Sequence, residues 1–168
     1  MGAITEQTID FADTAPFQAE GTAVAAATPE QIWAVLTDHE TWPSWFGTSL
    51  KVVKVTSDPA TGVGSTRDVT LQGGVTVSER FIVWEENRRW AFTGTAVTMP
   101  VLKRLVERCV LEPVDDTHTR ITYRMAAELA GPMKPLGKLM QKTVSKALTE
   151  AMGNLGAEAI RRAAAGES

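Results

Sequence analysis

Residues 131–162 read GPMKPLGKLMQKTVSKALTEAMGNLGAEAIRR, and this stretch decides the fold. From Met133 on, apolar residues recur at steps of three and four, which is the period of an α-helix with one buried face. They are Leu136, Leu139, Met140, Val144, Leu148, Met152, Leu155 and Ala159. A helix of this length needs a broad apolar surface to lie across. A curved β-sheet provides such a surface.

Short strand-like segments precede this helix. They cover residues 17–27, 50–56, 65–71, 75–84, 88–95, 101–111 and 119–129. Reversals such as those at 58–62 and 73–74 separate the last six segments, which predicts an antiparallel meander. The segment 101–111 also suits a helix, because Leu102, Leu105 and Val106 are spaced at three and four.

Two short helices are predicted between the first and second of these strands. Thr28 is a good N-cap, Pro29 suits the first helical position, and Gln31 completes a capping box. The aromatic-rich run at residues 41–46 then predicts a second short helix or a lid-like turn.

Length and composition indicate a single domain. The chain has 168 residues, of which 43% are hydrophobic and 22% charged, and such a chain forms one compact core. We assign residues 17–164 to this domain. Residues 1–16 are acidic and lack a period, so we expect a flexible N-terminal arm or an edge extension of the sheet. Residues 165–168 are expected to form a short tail.

Charge and cysteine content exclude several classes of protein. A net charge of -3 and a pI near 5.4 argue against a nucleic-acid partner. Cys109 is the only cysteine, so no intramolecular disulfide can form. Glu6 and Asp10 lie where a secretory signal needs basic residues, and no stretch approaches the ~18 apolar residues of a membrane span. We therefore expect a cytoplasmic protein. His39 and His118 lack partners at metal-ligand spacing, so we predict no metal and no other cofactor.

Several local motifs resemble one protein family. They are Ala27–Trp33, Asp38–Trp45, Gly64–Arg67, Trp84–Trp90 and Leu111–Tyr123. Over residues 18–164 the chain resembles the polyketide cyclase/dehydrase and lipid transport family of the START-like (SRPBCC) superfamily. The resemblance implies an α+β helix-grip fold, in which a curved seven-stranded antiparallel sheet wraps around a long C-terminal helix. It also implies a deep cavity, used by different members for lipids, steroids, hormones or polyketide intermediates.

Alternation along the strands predicts which polar side chains face the interior. Arg67 shares a strand face with Val69, Glu107 with Cys109, and Tyr123 lies on the apolar face of the last strand. In one interpretation Arg67, Glu107 and Tyr123 orient a ligand. In the other, Arg67 and Glu107 form an internal salt bridge or lie near the rim, and Tyr123 is a core residue hydrogen-bonded to the backbone.

Apolar residues on the same faces and on the long helix are the predicted cavity wall. They are Trp45, Phe46, Val69, Leu71, Phe81, Phe92, Met99, Cys109, Leu111, Met125, Leu136, Met140 and Val144. Trp45 and Phe46 suit a lid over the cavity and the core equally well.

The sequence leaves three functions open. The first is a carrier or binder of a small hydrophobic molecule such as a lipid, a fatty acid or a polyketide-like metabolite. The second, implied by the resemblance, is an aromatase/cyclase in which Arg67 polarises a carbonyl, Tyr123 exchanges a proton and Glu107 is the base. The third is a ligand-sensing regulatory protein, acting as a homodimer or as part of a toxin–antitoxin-like pair.

Overall fold

A computed structural model describes residues 1–47 and 49–167, without the side chains of Pro132 and Met133. The strands are β1 (Gly2–Ala3), β2 (Phe17–Ala25), β3 (Leu50–Val55), β4 (Thr66–Leu71), β5 (Thr76–Glu85), β6 (Arg89–Val97), β7 (Leu102–Pro113) and β8 (Thr119–Leu129). The helices are α1 (Phe11–Thr14), α2 (Pro29–Thr37) and α3 (Gly137–Ala165), with 3-10 helices at His39–Ser44 and Gly131–Leu136. Ser168, in the predicted tail, lies outside the described residues.

The strands form one curved antiparallel sheet in the order β2-β8-β7-β6-β5-β4-β3. Strands β3 to β8 follow one another as a meander, and β2 pairs with β8 along its whole length. The long helix α3 packs on the inner face of the sheet, chiefly against β2. The predicted helix-grip arrangement is therefore confirmed, and the segment that also suited a helix is strand β7.

The two short helices after β2 are also confirmed. In α2, the Gln31 N–H donates to Thr28 Oγ1 at 3.4 Å, and the Thr28 N–H donates to Gln31 Oε1 at 2.9 Å. This is the reciprocal capping box that the sequence predicts. The 3-10 helix follows directly and buries His39 and Trp42 against the sheet.

The first sixteen residues lie along the sheet, as an edge extension does, and do not form a free arm. Strand β1 pairs with β6. It is an eighth strand, in addition to the seven strands β2 to β8. Farther along, Phe11, Ala12 and Ala15 are buried against Val106 and Ala126 on the outer face of the sheet. Alternation and helical period do not detect this segment, because its apolar residues are few and irregularly spaced. They nevertheless bury enough surface to hold the segment on the sheet.

The long helix begins later than its apolar period suggests. Residues 131–136 form a 3-10 helix, and regular α-helix starts only at Gly137. Pro135 explains the delay, because proline lacks the backbone N–H and disfavours helical backbone at the residue before it. At the other end, Gly166 adopts a left-handed conformation, with φ of 70°, and terminates the helix.

The helix and the sheet approach each other closely at two glycines. A Cβ atom on Gly21 of β2 would lie 2.3 Å from the carbonyl carbon of Leu148 in α3. A Cβ on Gly156 of α3 would lie 2.5 Å from the Cβ of Ala25. The backbone of α3 therefore rests almost directly on β2 at Gly21, with no room for a side chain between them.

We expect Gly21→Ala to destabilise the protein by about 1–3 kcal/mol or more, because the added methyl group meets rigid backbone. Gly153→Ala is the matched control, since that helical position has nothing within 4 Å of an added Cβ. The control should stabilise the fold by about 0.5–1 kcal/mol through helix propensity. Urea unfolding of both variants measures the difference. Equal stabilities would show that the helix does not rest on Gly21.

Candidate functional site

A buried ion pair occupies the middle of the inner sheet face. Arg67 on β4 donates from Nε to Glu79 Oε2 on β5 at 2.7 Å, and these two side chains are 1% and 6% exposed. Arg67 Nη1 also lies 2.9 Å from His39 Nδ1. A guanidinium group only donates hydrogen bonds, so His39 Nδ1 is the acceptor and its ring hydrogen is on Nε2. Burial, followed by the charge of Arg67, lowers the pKa of His39 to about 3, and its ring is therefore neutral.

Aromatic rings surround the guanidinium group of Arg67. Its central carbon lies 4.1 Å from the ring centroid of Trp42, 4.9 Å from that of Phe92 and 5.2 Å from that of Phe81. The faces of these rings carry partial negative charge, which attracts a cation. The cost of desolvating Arg67 is thus offset by one carboxylate, one imidazole nitrogen and several ring faces.

A second buried polar pair joins β7 and β8. The hydroxyl of Tyr123 donates a hydrogen bond to Glu107 Oε2. Burial, reinforced by the negative charge of Glu79, raises the pKa of Glu107 from 4.5 to about 8. Glu107 is therefore a neutral carboxylic acid at pH 7 in the folded protein. It is 8% exposed, whereas Arg67 and Tyr123 are each 1% exposed.

Arg67, Glu107 and Tyr123 are all buried, but the partners that the second interpretation gives them are not the ones found. Arg67 pairs with Glu79 instead of Glu107, and Tyr123 bonds Glu107 instead of the backbone. Sequence analysis missed Glu79, although Glu79 shares a strand face with the apolar Val77 and Phe81 and the same alternation identifies it. It also missed His39, which lies in a 3-10 helix where alternation gives no information.

Part of the inner face is apolar and only partly covered. Its half-buried side chains pack on the main core, and those predicted as cavity wall are Phe46, Leu71, Met125, Met140 and Val144. Met125 lies in the middle of β8, with β2 and β7 paired on either side of it. Its remaining exposure therefore comes from the inner face and not from a sheet edge. Met125 is also the register partner of Glu107, so the neutral acid borders this surface.

The other predicted wall residues divide into two groups. Fully buried in the main core are Trp45, Val69, Phe81, Phe92, Cys109 and Leu111. Burial also raises the pKa of the Cys109 thiol, so this cysteine is unreactive. Met99 and Leu136 instead lie at the surface, 48% and 42% exposed. Met99 belongs to the connection between β6 and β7, and Leu136 ends the 3-10 helix before α3, so neither is covered by the sheet.

Within residues 1–47 and 49–167, no group of three or more His, Cys, Asp or Glu side chains is arranged to hold a metal ion. No helix among them is long and apolar enough to cross a membrane. Two shallow outer grooves flank α2, and none of the predicted site residues lines either of them.

Comparisons with known proteins agree with this architecture. The family model described as polyketide cyclase / dehydrase and lipid transport matches residues 16–159. An uncharacterised protein of Mycobacterium tuberculosis is 33% identical over 147 residues, which cover 88% of this chain and 87% of that protein. The crystal structure of the Zhui aromatase/cyclase from a Streptomyces species matches with a TM-score of 0.72 at 17% identity, covering 90% of this chain and 98% of that one. A START superfamily protein from Mycobacterium smegmatis matches with a TM-score of 0.62 at 18% identity, covering 83% and 98%.

We expect Arg67→Met to destabilise the protein by roughly 3–5 kcal/mol, because Glu79 is left buried without its partner. The double variant Arg67→Met/Glu79→Gln should recover part of this loss, since it leaves no unpaired charge. Arg88→Ala is the control, because Arg88 is 73% exposed and its ion pair with Glu85 is worth about 1 kcal/mol or less. Chemical denaturation of the three variants tests this. A double variant less stable than Arg67→Met would contradict the expected compensation.

Glu107 should make stability depend on pH. Its folded pKa of about 8 exceeds the ordinary value of 4.5, so the folded state holds an extra proton between these values. The stabilisation is complete below pH 4.5 and is lost as pH rises towards 8. Relative to Glu107→Gln, the wild type should lose up to about 1.4 kcal/mol per pH unit over this window. Urea unfolding at pH 5, 6, 7 and 8 measures the difference, and a constant offset between the two proteins would count against a neutral Glu107.

Proposed function

We propose a binding function for this chain, which belongs to the polyketide cyclase / dehydrase and lipid transport family. The ligand is a small hydrophobic molecule such as a lipid, a fatty acid or a polyketide-like metabolite, held between the sheet and α3. The observation that carries this proposal is that Met125, Met140 and Val144 pack against the main core and yet are only half-buried. Apolar side chains on the inside of a fold are normally covered, and an apolar ligand would complete their burial.

The chemistry of this surface supports a ligand with few polar atoms. Its wall is aliphatic and aromatic, and the polar group that borders it is Glu107, whose neutral acid can donate a hydrogen bond. Apolar pockets commonly use a few such groups to orient a ligand. A ligand with one carbonyl or hydroxyl oxygen fits this arrangement better than one with several charges.

A cyclase or dehydratase acting on a polyketide-like substrate is the second candidate function. The observation in its favour is the hydrogen-bonded pair of Glu107 and Tyr123, because an acid with a pKa of about 8 is suited to proton transfer near neutral pH. It ranks second because Arg67, assigned to polarise a carbonyl, is held by Glu79 and His39 under aromatic rings. Loss of turnover in Glu107→Gln with ligand binding retained would favour the enzyme.

We further propose that the protein acts in the cytoplasm, which its single, buried cysteine supports. A homodimer and a role as a regulatory or toxin–antitoxin-like interaction protein remain predictions.

We expect the purified protein to carry or accept an apolar ligand. Native mass spectrometry followed by denaturing extraction identifies any bound molecule, and titration with the fluorescent fatty acid cis-parinaric acid measures affinity. Met125→Trp should weaken binding of cis-parinaric acid at least about tenfold, because the larger ring fills the open surface.

Val24→Trp is the matched control, because Val24 lies on β2 and is 55% exposed. It should bind as the wild type does. An empty wild-type protein that ignores cis-parinaric acid and a panel of lipids and polyketide mimics would contradict the binding function. That outcome would favour the interaction protein.

A further inference from the structure

The sheet has a gap between β6 and β7 that the N-terminal segment closes. These two strands pair from Arg89 and Val110 only as far as Thr93 and Val106. Beyond that point the last residues of β6 pair with β1 instead. The chain then continues across to β7.

Backbone hydrogen bonds show how the segment joins the separated strands. The N–H of Ile4 donates to the carbonyl of Thr95 on β6 at 3.0 Å. The N–H of Thr5 donates to the carbonyl of Lys103 on β7, also at 3.0 Å. Residues 2–5 thus satisfy backbone groups on both sides of the gap, and they complete the wall of the half-barrel at this end.

The side chain of Ile4 reaches the inner face of the sheet. It packs on the main core and is half-buried. A Cβ on Gly94 would lie 2.8 Å from Ile4 Cδ1 and 3.1 Å from the Cβ of Leu105. Ile4 therefore occupies the space that a side chain at Gly94 would take. Leu105 shares its strand face with Glu107, so Ile4 adjoins the surface proposed to bind the ligand.

The rest of the segment is anchored on the outer face. The N–H of Gln7 donates to Thr93 Oγ1 at 2.9 Å, and Phe11 is buried in the outer cluster. Asp13 forms ion pairs with Arg108, at 3.1 Å, and with Arg124. Together with the pairing of β1 and β6, these contacts hold the backbone on both sides of Ile4 in place. The Ile4 side chain is therefore held at a defined position.

We infer that residues 2–5 form part of the wall of the ligand site and that Ile4 is a specificity-determining residue within it. The family match begins at residue 16, so this part of the wall lies outside the residues that match. The inference rests on the proposed binding function. Its consequence is that the bulk of residue 4 sets the length of apolar chain that the site accepts.

The test uses the full-length protein and a series of straight-chain fatty acids of increasing length, competing with cis-parinaric acid. Ile4→Ala should move the preferred ligand to longer chains, with roughly fourfold tighter binding for each additional methylene group that is accommodated. Ile4→Phe should move the preference to shorter chains. Ile9→Ala is the matched control, because Ile9 lies in the same segment and is likewise half-buried but is not among the residues packed on the main core. It should keep the wild-type profile.

Two further variants separate the alternative outcomes. Asp13→Ala loosens the outer anchor without touching the inner face, and it should also keep the wild-type profile. If Asp13→Ala reproduces the shift of Ile4→Ala, the effect comes from a loosened segment and the role of Ile4 is overturned. If Met125→Ala alters the profile while Ile4→Ala does not, the binding function stands and the inference about Ile4 fails. If the wild type binds no fatty acid or other apolar probe, both proposals fail together.

Discussion

The close crossing of α3 over β2 at Gly21 is the constraint on which the arrangement of the interior depends. It brings the backbone of the helix onto the sheet and buries Leu148, Met152 and Leu155 behind it. Gly137 at the start of α3 also lies against Phe17 and Leu129, and Gly156 lies against Ala25, so the helix follows β2. Between Gly137 and Leu148, the side chains of Met140 and Val144 are only half-buried.

The buried charges divide the interior into a polar centre and an apolar part. Arg67, Glu79 and the surrounding rings form a closed centre in which a charge is desolvated but compensated. The same burial that makes the ion pair costly also keeps Glu107 protonated, because a further negative charge next to Glu79 is unfavourable. Glu107 lies at the border between this polar centre and the apolar part of the inner face that includes Met125. That position makes it the polar group best placed to meet a ligand, whether the protein carries that ligand or transforms it.

The N-terminal segment supplies backbone pairing that strands β6 and β7 lack at one end. The meander leaves β6 and β7 unpaired at one end, and exposed strand edges are unfavourable unless they are covered. Residues 2–5 cover both edges, while the outer cluster around Phe11 fixes the segment from the other side. The same residues thus stabilise the sheet and shape the inner wall. A short segment can in this way alter a binding surface without changing the core of the fold.

Local periodicity was sufficient to determine the seven long strands and their faces. The predicted segment 119–129 coincides with β8, the other six strands differ by at most two residues at either end, and Arg67, Glu107 and Tyr123 face inward as alternation requires. Only the tertiary structure decided which of these side chains meet. The pairing of Arg67 with Glu79 and His39 depends on strand register and on the position of a 3-10 helix, neither of which leaves a period in the sequence. For the same reason the sequence left the N-terminal segment open between a flexible arm and an edge extension, since its stability comes from contacts with residues far away along the chain and not from any pattern of its own.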